Sequence, residues 1–181
     1  MRLGIDLDGV VADFNTGWMR RYNDQFGTEL DPSMVTTWNA MLDLTRFDSM
    51  QEFWGWAEGG ANPSIFRDLP TFPDAVPALQ RLARDHKIVI ITTKPRWAVH
   101  DTFAWISEHG LPTQEVHMIS RKWEVECDIY LDDAPHLLPR LVSFRPEATV
   151  VRFARSWNRE VEGTMSVASW AEFEQLVADF T

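Results

Sequence analysis

We predict an α/β fold in which an open parallel sheet carries helices on both faces and a small helical cap is inserted early in the chain. From residue 72 onwards, strand-like apolar runs alternate with amphipathic helical stretches, which is typical of a parallel sheet. Residues 87–93 form one apolar run, as expected for a central strand covered on both sides. Three predicted strands also end in polar side chains, at the edge where such sheets bind ligands.

The chain opens with a predicted strand over residues 3–8, followed by a helix. Aromatic residues at i, i+4 steps indicate this helix, and Gly27 is placed as its stop. These aromatic residues are Phe14, Trp18, Tyr22 and Phe26. From residue 31 to residue 71 the pattern is irregular and highly aromatic, which we interpret as short helices in a separate lobe. We therefore predict a core formed by residues 1–14 and 72–181 and a small cap formed by residues 15–71.

Strands and helices alternate through the rest of the chain. The predicted strands are 87–93, 116–119, 128–131 and 148–153, and the predicted helices are 74–83, 97–109 and 135–142. A last helix is predicted from the capping box formed by Ser169 and Glu172. A chain of 181 residues suits one core domain with a modest insertion.

The composition is that of an ordinary globular protein, with 45% hydrophobic and 24% charged residues. The formal net charge of −10 argues against a nucleic-acid polymer as partner, because binding to phosphate backbones relies on Lys and Arg. The single cysteine, Cys127, excludes an internal disulfide framework and fits a reducing compartment. Asp6 interrupts the apolar stretch that a signal peptide needs, and no apolar run could span a bilayer. We therefore expect a cytoplasmic protein with no membrane partner.

The stretch Asp6-Leu7-Asp8-Gly9-Val10 is the most informative part of the chain. Side chains alternate along a strand, so Asp6 and Asp8 should project the same way while Leu7 points into the core. Two neighbouring carboxylates repel each other and are hard to bury unless a cation or a reaction uses them. Gly9 lets the backbone turn sharply away and exposes the strand end. The alternative is an acidic turn after an edge strand.

Four separated pieces of the chain could converge on one site. They are Asp6 with Asp8, Thr92 with Thr93, Lys122, and Asp132 with Asp133. Three or four carboxylates make a hard, oxygen-rich site that suits Mg²⁺ rather than zinc. Threonine hydroxyls and a lysine ammonium suit the oxygens of a phosphate, and phosphoryl transfer requires that its charge be positioned and cancelled.

These residues resemble the four motifs of the haloacid dehalogenase (HAD) superfamily of phosphohydrolases, in order and in spacing. Lys122, for example, stands ten positions before Asp132. Within the superfamily the chain is most similar to the 5'(3')-deoxyribonucleotidases and their bacterial and phage relatives. The similar stretches are 6–14, Thr92-Thr93-Lys94-Pro95, 155–159 and 167–170. The lobe between the first and second motifs is where that family carries its small cap.

One departure from the family concerns the phosphate. Those enzymes have a basic residue shortly before the Ala-Trp pair that resembles Ala104-Trp105, whereas this chain has Asp101 and Thr102. If that residue helps to hold phosphate, Lys94 or an arginine such as Arg96 must substitute for it.

The resemblance implies a role for each motif residue. Asp6 would be the nucleophile that forms an aspartyl-phosphate, and Asp8 the general acid and then the general base. Expelling a halide requires no proton donor, so Asp8 also distinguishes a phosphatase from a dehalogenase. The implied Mg²⁺ ligands are Asp6, the backbone carbonyl of Asp8, and Asp132 or Asp133. The implied phosphate-binding residues are Thr92, Thr93, Lys94 and Lys122.

Substrate specificity should come from the aromatic lobe. A nucleobase presents a flat face, and stacking on an aromatic side chain contributes about 1–3 kcal/mol. The candidates for this contact are Phe14, Trp38, Trp54, Trp56 and Phe66. Burial is the alternative for each of them, because a small helical lobe needs aromatic residues for its own core.

We therefore expect a cytoplasmic, Mg²⁺-dependent 5'-nucleotidase that acts on (deoxy)ribonucleoside 5'-monophosphates, pyrimidine ones foremost, as a monomer or a homodimer. One alternative is a HAD phosphatase for another small ester such as a sugar phosphate. The other is a non-catalytic phosphate-binding protein on the same fold, against which the Asp6/Asp8 pair argues. The histidines show no metal-ligand spacing. Arg152, Arg155 and Arg159 are expected to form solvated ion pairs.

Overall fold

The predicted parallel sheet is confirmed by the computed structural model, which describes residues 1–180. Within these residues, six strands form one sheet in the order β3-β2-β1-β4-β5-β6, and every neighbouring pair is parallel. The strands are β1 (Arg2–Ile5), β2 (Lys87–Thr92), β3 (Glu115–Met118), β4 (Ile129–Asp132), β5 (Thr149–Phe153) and β6 (Met165–Val167).

Seven α-helices accompany the sheet over the same residues. They are α1 (Phe14–Phe26), α2 (Ala40–Leu44), α3 (Met50–Glu58), α4 (Ala75–Leu82), α5 (Val99–Glu108), α6 (Leu138–Phe144) and α7 (Trp170–Asp179). The predicted capping box is present at α7, where the Ser169 side chain accepts from the Glu172 N–H and Glu172 accepts from the Ala168 N–H. No helix in the described chain has both the length and the apolar character needed to traverse a lipid bilayer.

Both faces of the sheet are buried. Ile88 and Ile90 of β2 belong to one apolar cluster, while the intervening Val89 and Ile91 belong to a second cluster on the other face. The first cluster includes residues of α1, α4, α5 and α7, and the second includes residues of α6. Because successive strand residues point to opposite faces, a central strand covered on both sides must be apolar throughout.

The first strand is shorter than predicted. β1 ends at Ile5, and the carbonyl of Leu7 accepts from the backbone N–H groups of Val10, Val11 and Ala12. Gly9 adopts a φ of +79°, which glycine tolerates best, so the chain turns sharply here. Asp6 therefore directly follows the strand, and Asp8 lies in the tight turn beyond it.

Strand β6 was not predicted. It has only three residues, of which Met165 and Ser166 are exposed, so it lacks the alternation or apolar run by which a strand is recognised. Apart from Phe14, the first residue of α1, helices α1 to α3 fall within residues 15–71, and the division into core and cap stays a prediction. Residue 181 of the predicted core lies outside the described residues.

Candidate active site

The carboxyl ends of three neighbouring strands bring the predicted polar residues together. Asp6 follows β1, Thr92 ends β2 and Asp132 ends β4. Strand β1 is adjacent to β4, and the chain continues from β1 to β2 on one side but from β4 to β5 on the other, so the connections from β1 and β4 run in opposite directions across the sheet. Open parallel sheets bind ligands at such a reversal.

Three buried carboxylates form the centre of the site. Asp6, Asp132 and Asp133 each offer one carboxylate oxygen, and these oxygens lie within 4.8 Å of one another. Burial raises the pKa of Asp132 to about 6 and raises the pKa of Asp133 well above its ordinary value, and the nearby Asp6 adds to both effects. Three acids this close and this buried therefore need a compensating cation.

Lys122 supplies part of that compensation. Its Nζ lies 2.9 Å from Asp6 Oδ2 and 2.6 Å from Asp132 Oδ2. Burial alone would lower the pKa of Lys122, but the two carboxylates outweigh it and hold the pKa above its ordinary value. The ammonium is thus fixed as a cation beside Asp6, where it can also meet the oxygens of a phosphate.

The donor set fits Mg²⁺. Oδ1 of Asp133 is buried and has no hydrogen-bond partner among the described residues. Buried polar atoms are nearly always paired, so an unpaired oxygen on a carboxylate that is grouped with two further carboxylates indicates an atom available to a cation. Carboxylate oxygens are the ligands that Mg²⁺ prefers in proteins.

Asp8 is paired with Lys94. Lys94 Nζ lies 2.6 Å from each carboxylate oxygen of Asp8 and 3.8 Å from the centroid of the Phe66 ring. Burial raises the pKa of Asp8, and Lys94 opposes that rise. The Lys94 side chain is 2% exposed and does not line the cavity described below, so contact with a phosphate requires that this pair open.

A cavity of about 430 Å³ leads from the carboxylates towards the predicted cap. Among the predicted residues it is lined by Asp6, Asp8, Thr92, Thr93, Lys122, Asp133, Phe14, Trp38 and Trp54. The ring of Trp38 meets the ring of His136 edge to face at 5.2 Å, which joins the two walls of the cavity.

Two of the candidate aromatic residues do not reach the cavity. Trp56 packs edge to face on Tyr22 at 5.7 Å and donates through its indole N–H to Gln25. Phe66 is 2% exposed and stacks behind Phe14. Both rings pack in the aromatic core of the lobe. Burial was the alternative to substrate contact, because a small helical lobe needs aromatic residues for its own core.

The predicted ion pairs of Arg152 and Arg155 are wrong. Arg155 is sandwiched between the rings of Phe72 and Phe153, at 3.8 and 4.1 Å from their centroids, and donates to the carbonyl of Gly9. Burial lowers the pKa of Arg155 to about 10. Arg152 is buried and donates to the side chain of Asn158. Two aromatic rings and a backbone carbonyl thus surround Arg155, and the neutral side chains of Ser166 and Asn158 accept from Arg152.

Residues 155–158, which follow β5 and which we call the inward segment, carry contacts that sequence reasoning missed. Trp157 donates from its indole N–H to Asp133 Oδ2 at 2.7 Å, Asn158 donates to the Asp133 carbonyl, and Ser156 donates to the carbonyl of Val35. The resemblance singled out residues 155–159 but not their partners. His136, Arg140 and Ser120, which also line the cavity, follow no periodicity that marks them in the sequence.

Comparisons with known proteins agree with one another. Residues 1–180 match the family described as 5' nucleotidase, deoxy (pyrimidine), cytosolic type C protein (NT5C). A Chlorobaculum tepidum protein, provisionally named a 5'(3')-deoxyribonucleotidase, is 27% identical over 192 residues, covering 98% of this chain and 90% of its own. The 5'(3')-deoxyribonucleotidase of Clostridium acetobutylicum is 27% identical over 135 residues, covering 74% and 73%. In fold, the chain is similar to a haloacid dehalogenase-like hydrolase of Streptococcus pneumoniae, with a TM-score of 0.70, 13% identity and coverage of 99% and 98%.

Proposed function

Because the chain belongs to the NT5C family and is thus a phosphoric monoester hydrolase of the HAD superfamily, we propose that it removes the phosphate of pyrimidine deoxyribonucleoside 5'-monophosphates with the help of Mg²⁺. The observation that carries this proposal is the buried cluster of Asp6, Asp132 and Asp133, which opens into an aromatic-lined cavity of about 430 Å³. Such a cavity is large enough for a small-molecule substrate.

Asp6 is the proposed nucleophile. Its carboxylate attacks phosphorus, the bond between phosphorus and the ester oxygen breaks, and an aspartyl-phosphate forms on Asp6. Lys122, 2.9 Å from Asp6, together with Thr92 and Thr93, would hold the phosphoryl oxygens. Mg²⁺, held by Asp6, Asp132, Asp133 and the Asp8 carbonyl, would offset the repulsion between the attacking carboxylate and the phosphate.

Asp8 is the proposed general acid and base. It gives its proton to the departing ester oxygen, and it then takes a proton from the water that hydrolyses the aspartyl-phosphate. A raised pKa supports the first step, because a carboxyl group must hold a proton before it can donate one. Lys94 would stabilise the carboxylate that is left after this donation.

Substrate choice is assigned to the aromatic wall. Phe14, Trp38 and Trp54 line the cavity, and flat rings at its wall suit a nucleobase better than a sugar. This wall favours a nucleotide over the sugar phosphate considered as the alternative. The phosphate-binding end of the site would be the same for both substrates.

A panel of phosphate esters tests the proposal. We expect dUMP and dTMP to be hydrolysed with the highest kcat/KM, phosphate release to stop when EDTA removes Mg²⁺, and Asp6→Asn to abolish turnover while the exposed Asp43→Asn control retains it. A sugar phosphate with a tenfold higher kcat/KM, about 1.4 kcal/mol, would overturn the substrate assignment. If no ester released phosphate and Asp6→Asn could not be distinguished from wild type, the proposal that the protein is a phosphatase acting through Asp6 would be overturned.

A further inference from the structure

We propose that Trp157 is a positioning residue that determines which oxygen of Asp133 faces the cation site. This inference rests on the metal site of the proposed function and adds to it a residue outside the carboxylate cluster. Trp157 lies four residues after the end of β5, on the inward segment, and its side chain lines the cavity wall.

The two oxygens of Asp133 have different surroundings. Oδ2 accepts the indole N–H of Trp157 at 2.7 Å, whereas Oδ1 is buried and has no partner within residues 1–180. A free carboxylate group has two equivalent oxygens, and an indole N–H can only donate. The contact therefore makes them unequal and leaves Oδ1 as the oxygen available to a cation.

Gly9 restricts the carboxylate from a second side. A Cβ atom on Gly9 would lie 2.1 Å from Oδ2 and 2.6 Å from Cγ of Asp133, so the glycine backbone packs directly against this group. The carbonyl of Asp133 is held separately by the side-chain amide of Asn158, at 2.8 Å. With the backbone and one face fixed, the hydrogen bond from Trp157 sets the remaining rotation of the carboxylate.

Trp157 is itself held in place. Trp157 is half-buried against the main apolar cluster. Its neighbour Ser156 donates a hydrogen bond to the carbonyl of Val35, and its neighbour Asn158 donates one to the carbonyl of Asp133. A donor that is already oriented loses little entropy when it binds its acceptor. Removing a hydrogen-bond partner of a metal-binding carboxylate typically weakens metal affinity about 10- to 100-fold.

Direct metal binding tests the inference without relying on turnover. Mn²⁺, which prefers the same oxygen ligands as Mg²⁺, is titrated into the purified protein, and the free ion is followed by electron paramagnetic resonance. We expect Trp157→Phe, which keeps an aromatic ring but lacks the N–H, to bind Mn²⁺ about tenfold more weakly or worse. Its kcat should recover at saturating Mg²⁺, which distinguishes poor metal binding from a damaged fold.

Trp123→Phe is the matched control. Trp123 is also half-buried and stacks on Phe144, but it does not line the cavity, so its replacement should leave Mn²⁺ affinity within twofold of wild type. Should Trp157→Phe fold poorly, benzothienylalanine at position 157 replaces the indole N–H by sulfur and preserves the ring shape. The same tenfold weakening is expected from it.

The outcomes separate the inference from the proposed function. If wild-type protein binds Mn²⁺ and a variant without the indole N–H binds it equally well, the role of Trp157 is overturned but the metal site is not. An equal loss in Trp123→Phe also overturns it, because the effect would then be general. Wild-type protein that binds no Mn²⁺ overturns the metal site of the proposed function, and the inference with it.

Discussion

Lys94 and Asp8 form a two-pronged ion pair across a sequence separation of 86 residues, with Nζ 2.6 Å from each carboxylate oxygen. The two side chains differ in exposure, since Lys94 is 2% exposed and Asp8 is 27% exposed. Lys94 therefore lies behind Asp8, and Asp8 is the partner that faces the cavity. This arrangement makes the lysine a buried support for the proposed general acid.

Lys94→Met should destabilise the metal-free protein by about 1–3 kcal/mol, because Asp8 is left without its partner. Loss of Lys94 removes the interaction that lowers the pKa of Asp8, so that pKa rises further. A carboxyl group with a raised folded-state pKa binds protons more tightly in the folded state, so lowering the pH relieves the penalty. The difference in free energy of unfolding between wild type and Lys94→Met should therefore become smaller as the pH is lowered from 8 to 5. Urea unfolding in the presence of EDTA measures this difference.

Lys87→Met is the control for this prediction. Lys87 pairs with Glu115 but is 51% exposed, and exposed ion pairs contribute about 0–1 kcal/mol. The buried pairing would be contradicted if Lys94→Met lost no more free energy of unfolding than Lys87→Met. It would also be contradicted if the loss in Lys94→Met became larger towards pH 5.

Trp38→Ala should raise KM for dUMP about tenfold, because it removes a ring from the cavity wall and stacking contributes about 1–3 kcal/mol per base. Trp38 is 40% exposed, so the free energy of unfolding should change little. Trp56→Ala should do the reverse, lowering stability while KM stays near wild type, since Trp56 packs within the lobe. Steady-state kinetics and urea unfolding of both variants check the contrast, and equal KM values for the two would refute it.

Gly9→Ala should abolish metal binding and most of the activity. Gly9 has a φ of +79°, and a methyl group there would collide with Asp133 Oδ2 at 2.1 Å. Gly27→Ala is the matched control, with a φ of +65° and no atom within 4 Å of the added methyl. It should cost only the strain of a left-handed alanine, about 1–2 kcal/mol. Mn²⁺ titration and phosphate release distinguish the two, and an active Gly9→Ala would show that the Asp133 carboxylate can move aside.

Cys127 should react slowly with iodoacetamide in the native protein. Burial raises the pKa of its thiol to about 11, so the reactive thiolate is scarce at pH 8. Unfolding in guanidinium restores an ordinary pKa, and alkylation followed by mass spectrometry should then become at least tenfold faster. An acid with a raised folded-state pKa contributes stability that is lost as pH rises, here from about 9 to about 11. Rapid native alkylation at pH 8 would show that the thiol is accessible and ionised.

Local sequence patterns were enough to predict the sheet and its acidic edge. The apolar run of β2 and the capping box at Ser169 depend on residues that are neighbours in the chain, so their meaning can be read without the fold. The convergence of Asp6, Thr92 and Asp132 also followed, because parallel strands end at one edge.

By itself, the sequence determined the alternation of strands β1 to β5 with helices, the family resemblance and the set of polar residues at one edge of the sheet. Tertiary structure alone decided that Lys94 supports Asp8, that Arg155 holds the Gly9 carbonyl and that Trp157 singles out one oxygen of Asp133. It also decided that Trp38 lines the cavity while Trp56 is packed within the lobe. The physical reason is range: periodicity and caps arise between near neighbours, whereas Arg155 and Gly9 lie 146 residues apart and meet only because the whole chain is packed.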